Sequence, residues 1–490
     1  MHICRREFGA GLIGGLISCA FALPPRPKLL VLVVLELLRP DFLDSAWARL
    51  APGGFRRLLE GGSYFPDCRH LASAFPATSM ATLATGAWPA EHGIVADTWY
   101  DRPSHTTTRP SDEDLLATTL CAQVAAEPRT RVYVSTLEPS HAGIFAGTRK
   151  ARLFWMDSEG RFDTRGEPPE WLSAFNSRAP ADNFHDYKWQ ALGAPPDAPA
   201  LRTLTFNPAH SETFTALFRS SPFAQQAQFD FVTELIARER LGQENSFDML
   251  CLVVSSSARL GYETGDHSPL LQEMTLRFDR QMETLLTQLS KAPGANAYNL
   301  VVAGAHGVPP EPAPERRSRM AVPGESVAQA VERELSARGM GHVERYLYPF
   351  LYLDTSGFRD PEPARQAAGA AAMRHSAVAG YFTAGGACSA KNEWAQRFRN
   401  SFHLSRSGDV MLSYLPEYVE DYGEGRGISY GSLYNYDVRV PLCFYGPQFR
   451  AGVFDAPVES VDLAPTLARA IGVSPPSSTT GRVLAEALAE

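Results

Sequence analysis

Residues 28–38 read KLLVLVVLELL, an apolar run broken only by one acidic residue near its end. A run this apolar, with no alternation of polar and apolar positions, suits a parallel β-strand buried on both faces. Similar runs recur at 247–255 (FDMLCLVVS), 298–303 (YNLVVA) and 438–445 (VRVPLCFY). Segments with helical spacing separate them, notably 270–290, LLQEMTLRFDRQMETLLTQLS. Strands alternating with helices predict an α/β fold, a doubly wound and mostly parallel sheet flanked by helices. Ligands of such sheets bind beyond the carboxyl ends of the strands. The residues to interrogate are therefore Glu36, the stretch from Ser255 to Tyr262, and Ala305-His306.

The first residues read differently. Arg5-Arg6 precedes an uncharged run from Gly9 to Ala22, which is followed by Leu23-Pro24-Pro25. A basic start, a short apolar stretch and small residues at a break describe an export signal over residues 1–22. The apolar stretch falls short of the ~20 residues that a membrane-spanning helix needs. Adjacent arginines followed by Phe8 resemble a twin-arginine signal. Two kinds of processing fit. Ala20-Phe21-Ala22 suits cleavage to a soluble protein, whereas Leu16-Ile17-Ser18-Cys19 suits a lipid anchor on Cys19. Either places the protein in a bacterial periplasm or envelope. No other stretch reads as transmembrane.

The chain has 490 residues and a formal net charge of −8, with 54 acidic against 46 basic side chains. That balance argues against a nucleic-acid partner, which selects for a basic face. Beyond Cys4 and Cys19, five widely spaced cysteines form no CxxC pair and fix no disulfide pattern. The interval 102–245, with aromatic patches and an APPDAPA segment, reads as a cap inserted into an α/β domain of residues 28–490. A second, loop-rich insertion is expected at about 308–430, with an exposed Pro/Arg-rich loop over 309–325.

Several motifs together carry a family resemblance. Glu36-Leu37-Leu38-Arg39-Pro40-Asp41 is followed by Gly53-Gly54-Phe55, Thr85-Gly86, Pro89-Ala90-Glu91-His92-Gly93-Ile94 and Trp99-Tyr100-Asp101. Val440-Pro441, Tyr445-Gly446-Pro447 and Val461-Asp462-Leu463-Ala464-Pro465-Thr466 close the series. In this order they resemble the alkaline phosphatase superfamily, especially the phosphate-irrepressible bacterial alkaline phosphatases and the type I phosphodiesterases/nucleotide pyrophosphatases. The resemblance implies two Zn²⁺ ions ~4 Å apart that clamp the attacking and leaving oxygens of a phosphoester. It also implies a Thr or Ser nucleophile at a helix N-terminus and about three Asp or His ligands for each metal.

Position by position, the implied set is degenerate. The first-strand aspartate is Glu36, whose extra methylene moves the carboxylate. The nucleophile belongs about ten residues before Gly86, but FPATSMATLATG looks about three residues short, leaving Thr78 or Ser79 as stand-ins. The Asp-x-x-Gly-His motif has become Ala258-Arg259-Leu260-Gly261-Tyr262. Asp-His-Gly has become Ala305-His306-Gly307, and the final His has become Tyr430. Arg259 is a cation in a position to occupy space vacated by a metal. The phosphate-gripping Lys-x-Arg pair falls on Glu138–His141, and the Asn ahead of the Trp-Tyr pair falls at Asp97.

Four of six ligand positions, Ala258, Tyr262, Ala305 and Tyr430, thus hold residues unsuited to zinc; only Glu36 and His306 remain as weak, residual donors. The expectation is an exported, catalytically impaired pseudo-phosphatase without a cofactor, binding a small-molecule or phosphoester-like ligand. The alternative is an active phosphate-ester hydrolase with zinc at a rearranged or single-metal site.

Overall fold

A computed structural model describes residues 25–310, 320–389, 392–421 and 431–489. The export segment, Cys19 and Tyr430 lie outside these residues.

The apolar runs form the middle of a ten-stranded sheet. Strand Leu29–Leu35 lies between Phe247–Val254 and Tyr298–Gly304, parallel to both. Thr130–Thr136 and then Arg152–Met156 extend the parallel array on one side. On the other side Arg439–Tyr445 pairs antiparallel with Tyr298–Gly304, and Ser63–Arg69 pairs antiparallel with Arg439–Tyr445. All seven residues of Leu29–Leu35 are buried. Leu30, Leu32 and Val34 join one apolar cluster, while Leu29, Val31, Val33 and Leu35 join a second on the opposite face. Both faces are therefore covered, which is why the run carries no polar alternation.

The register fixes the site. Leu35 stands opposite both Val254 and Gly304. The three strands thus end at one height, and Glu36, Ser255 and Ala305 leave them side by side. Two hydrogen bonds continue this alignment past the strand ends: Glu36 N–H to the Val254 carbonyl at 3.0 Å, and Ala305 N–H to the Leu35 carbonyl at 2.7 Å.

Two boundaries differ from the sequence expectation. The interval 102–245 is not all insertion, because Thr130–Thr136 and Arg152–Met156 belong to the main sheet. Their runs, TRVYVST and RLFWM, carry polar or charged residues and lack the unbroken apolar character of 29–35, so they do not stand out as core strands. Among its described residues, the interval 308–430 is not mainly loop. It holds a four-stranded antiparallel sheet of His342–Leu347, Phe350–Asp354, Val410–Tyr414 and Val378–Thr383. Helices Gly324–Arg338 and Glu362–Ala372 accompany that sheet; of the loop expected over 309–325, residues 311–319 lie outside the described residues, Ala321–Val322 is strand and a helix starts at Gly324. No helix among the described residues is long and apolar enough to cross a membrane.

Candidate functional site

A cleft of about 760 Å³ opens at the strand ends, and Glu36, Asp97, His141, Ala258, Arg259 and Tyr262 all line it. The register explains how Glu36 and the 255–262 segment meet. His141 arrives separately, on the helix Pro139–Ala146 that follows strand Thr130–Thr136.

Glu36 is 3 % exposed, and its Oε1 lies 2.5 Å from His141 Nδ1. At that distance the two groups form a close ion pair. Burial alone lowers the affinity of His141 for a proton. The adjacent Glu36 carboxylate, helped by Asp97 and Glu138, outweighs that and pushes its pKa up to about 9. Burial raises the Glu36 pKa, but His141, His306 and Arg259 together hold the carboxyl below its ordinary range. The pair is thus an imidazolium against a carboxylate at neutral pH.

Glu138 stands in the same wall, in direct contact with the Arg259 guanidinium and 3.7 Å from that of Arg219. Arg259 therefore lines the cleft but is tied to an acid. Arg219 donates to the Met156 and Asp157 carbonyls, both at 2.6 Å. It lies within the long insert, where no sequence motif marks it.

The helix Pro76–Thr85 points its N-terminus at the cleft, and the wall there is made by Pro76 and Ala77. Neither carries a hydroxyl. Thr78 is fully buried, and its Oγ donates to the Ser73 and Phe75 carbonyls at 2.6 and 2.9 Å. Ser79 is buried as well, with no hydrogen-bond partner for Oγ among the described residues. Neither stand-in nucleophile lines the cleft. The helix has no capping side chain of its own; Asp97 Oδ1 accepts from Ala77 N–H at 2.9 Å instead. Asp97 is pushed up to about 6, mainly by desolvation, which the Ala77 N–H and His141 partly offset. The far end of this helix requires glycine: Gly86 has φ +65°, and a Cβ there would meet Pro465 at 2.9 Å.

His306 is fully buried behind the cleft wall. Its Nδ1 lies 2.8 Å from the Gly307 carbonyl, which can only accept, so Nδ1 carries the proton. Burial lowers its pKa to about 4 and keeps the ring neutral. Ala258 and Ala305 are buried and offer no donor atom.

This donor set does not fit the two zinc ions that the resemblance implies. Glu36 is engaged with His141, and no three His, Cys, Asp or Glu side chains among the described residues converge as a metal would require. The cleft instead alternates charge, with acids Glu36, Asp97, Glu138 and Glu263 against bases Arg109, His141 and Arg259.

The family model for type I phosphodiesterase/nucleotide pyrophosphatase matches residues 30–425, and the chain belongs to that family, within the alkaline phosphatase superfamily. It is 24% identical to alkaline phosphatase PhoV of Synechococcus elongatus, over 94% of this chain and 93% of that protein. It is 22% identical to alkaline phosphatase PafA of Elizabethkingia meningoseptica, over 95% of each. The crystal structure of PafA superimposes with a TM-score of 0.83 at 20% identity, covering 96% of this chain and all of PafA. Murine ectonucleotide pyrophosphatase/phosphodiesterase 5, solved in complex with AMP, gives a TM-score of 0.59 at 14% identity, over 94% of this chain and all of the murine chain.

Proposed function

We propose that this chain keeps the alkaline-phosphatase-type scaffold as a small-molecule-binding or interaction protein whose two-metal phosphatase chemistry is impaired. The Glu36–His141 ion pair carries this reading. A carboxylate at the end of the first strand is where the resemblance puts a metal ligand, and here a protein cation neutralises it. The hydroxyl-free helix end at Pro76–Ala77 and the alanines at 258 and 305 support the same conclusion. The N-terminal signal carries the protein to the bacterial envelope, ending at Ala22 or at a lipidated Cys19. Intact mass of the mature protein tests this, and a retained Met1 sinks it.

A second reading has its own support: four curated relatives are named alkaline phosphatases. On it, the chain hydrolyses phosphate mono- or diesters with one metal held near Glu36 and His306. Elemental mass spectrometry of the purified protein, with aryl phosphate hydrolysis in added Zn²⁺, separates the two. The proposal expects substoichiometric zinc and no turnover. Stoichiometric zinc with turnover lost in His306→Ala establishes the second reading.

A further inference from the structure

Strand Phe247–Val254 runs into Ser255 and then the nine-residue helix Ser256–Thr264, whose N-terminus opens on the cleft. The first N–H groups of a helix have no intrahelical acceptor, and together they make a positively polarised end. The Ser255 side chain does not cap this end. It is 1 % exposed, lines the cleft, and its Oγ has no partner among the described residues. The two positions here that the resemblance expects to hold metal ligands are Ala258 and Tyr262. No acidic side chain stands in the first turn. Arg259, in the same wall, adds a guanidinium.

A buried hydroxyl donor left without an acceptor is costly, and a ligand acceptor relieves that cost. An oxyanion satisfies the hydroxyl and the helix N–H groups together. Charge decides which oxyanion. Among the lining cations, Arg259 and His141 are already set against Glu138 and Glu36, so a dianion leaves more charge uncompensated here than a monoanion. Apolar wall comes from Ile144, Ala216 and Leu217.

We propose that the N-terminus of helix Ser256–Thr264, with the Ser255 hydroxyl, binds the carboxylate of a monoanionic ligand that has an apolar body. This rests on the metal-free reading above and names its ligand class. A cation site in the resembling family has become an anion site here.

Calorimetric titration of the full-length chain in EDTA with benzoate, its neutral amide benzamide, and phenyl phosphate tests it. Benzoate is expected to bind, benzamide at least tenfold more weakly, and phenyl phosphate no more tightly than benzoate. Ser255→Ala is expected to weaken benzoate about tenfold. Ala258→Asp, which returns a carboxylate to the helix end, is expected to abolish binding while the thermal midpoint shows an intact fold. Absence of benzoate binding overturns the proposal, as does equal binding of benzamide or an unchanged affinity in Ser255→Ala. Tighter binding of the phosphate overturns the carboxylate assignment. Zinc content and turnover are read separately, so failure of the metal-free reading is distinguishable from failure at this helix end.

Discussion

Two helix N-termini face the same cleft and are treated in opposite ways. At Pro76–Thr85 the end is covered: Asp97 reaches across from another segment and accepts the Ala77 N–H at 2.9 Å. At Ser256–Thr264 the end is open, with an uncapped Ser255 and no acid in the first turn. The resemblance expects a nucleophile at the first and metal ligands at the second. In this chain the first has been neutralised from within the protein, and the second has lost its negative partners. The same sheet register holds both in place. Scaffold geometry and site chemistry are therefore separable properties: one is set by apolar burial, the other by a few side chains that burial does not select.

The largest expected effect comes from breaking the charge balance between these ends. Glu36→Ala leaves the imidazolium of His141, whose side chain is 15% exposed, without its partner. Removing one member of a buried pair costs about 3–5 kcal/mol, read as the change in urea unfolding free energy at pH 7. The pH dependence has a definite sign. His141 has a folded pKa of about 9, above its ordinary 6.5. Its contribution is therefore complete below pH 6.5 and lost as pH rises through about 9. Glu36 is held below its ordinary value, so its contribution is present above about pH 4.5 and lost as pH falls below that. Wild-type stability should decline approaching pH 9, and that decline should be absent in Glu36→Gln. An alkaline decline of equal size in both proteins would show that the pair does not set it.

How much of this was legible in the sequence follows from the same separation. The strand ends were legible because seven consecutive buried residues leave one pattern, and the register then brings Glu36, Ser255 and Ala305 to a common height. Strands Thr130–Thr136 and Arg152–Met156 fall in the interval that reads as a cap, since three or four apolar and aromatic residues mixed with polar ones carry little periodic signal. Thr78 and Ser79 were named for their hydroxyls, but helix phase decides which residue faces the cleft, and it presents Pro76 and Ala77. The Glu36–His141 pair joins two segments far apart in sequence, so no local pattern announces it. Asp97 and His141 were singled out only through the resemblance, as degenerate phosphate contacts. Their actual partners, Ala77 N–H and Glu36, give them different work.

A smaller effect is expected at the covered helix end. Near pH 4, where the carboxyl is neutral, Asp97→Ala removes the side-chain acceptor of Ala77 N–H among the described residues, a loss typical of an N-cap and worth about 1–2 kcal/mol. Asp97→Asn should behave differently, because the amide oxygen can still accept. Asp97 has a folded pKa raised from 3.8 to about 6, so its neutral form is favoured and its contribution is lost as pH rises through about 6. The Asn variant should therefore match wild type near pH 4 and exceed it at pH 8, measured by thermal or urea unfolding. If Asn is no more stable than Asp at pH 8, desolvation of this carboxylate is not the controlling cost.

The smallest effect, and the one that separates the two ends most cleanly, is expected at Ser255. Asp97 satisfies a helix N–H, so deleting it destabilises. Ser255 satisfies nothing in the described structure, so deleting its hydroxyl removes a buried polar atom that has no partner. Ser255→Ala should then leave unfolding free energy unchanged or raise it by up to about 1 kcal/mol, within the range for relieving an unmade hydrogen bond. The side chain lost is small and Ala keeps the Cβ, so the cavity penalty is slight. Opposite signs for Asp97→Ala and Ser255→Ala, measured in the same buffer near pH 4 with no ligand, would show that one helix end is closed by the protein while the other waits for something outside it. A loss above about 1 kcal/mol in Ser255→Ala would mean that the hydroxyl already has an acceptor within the fold, and the open end would then be a capped one.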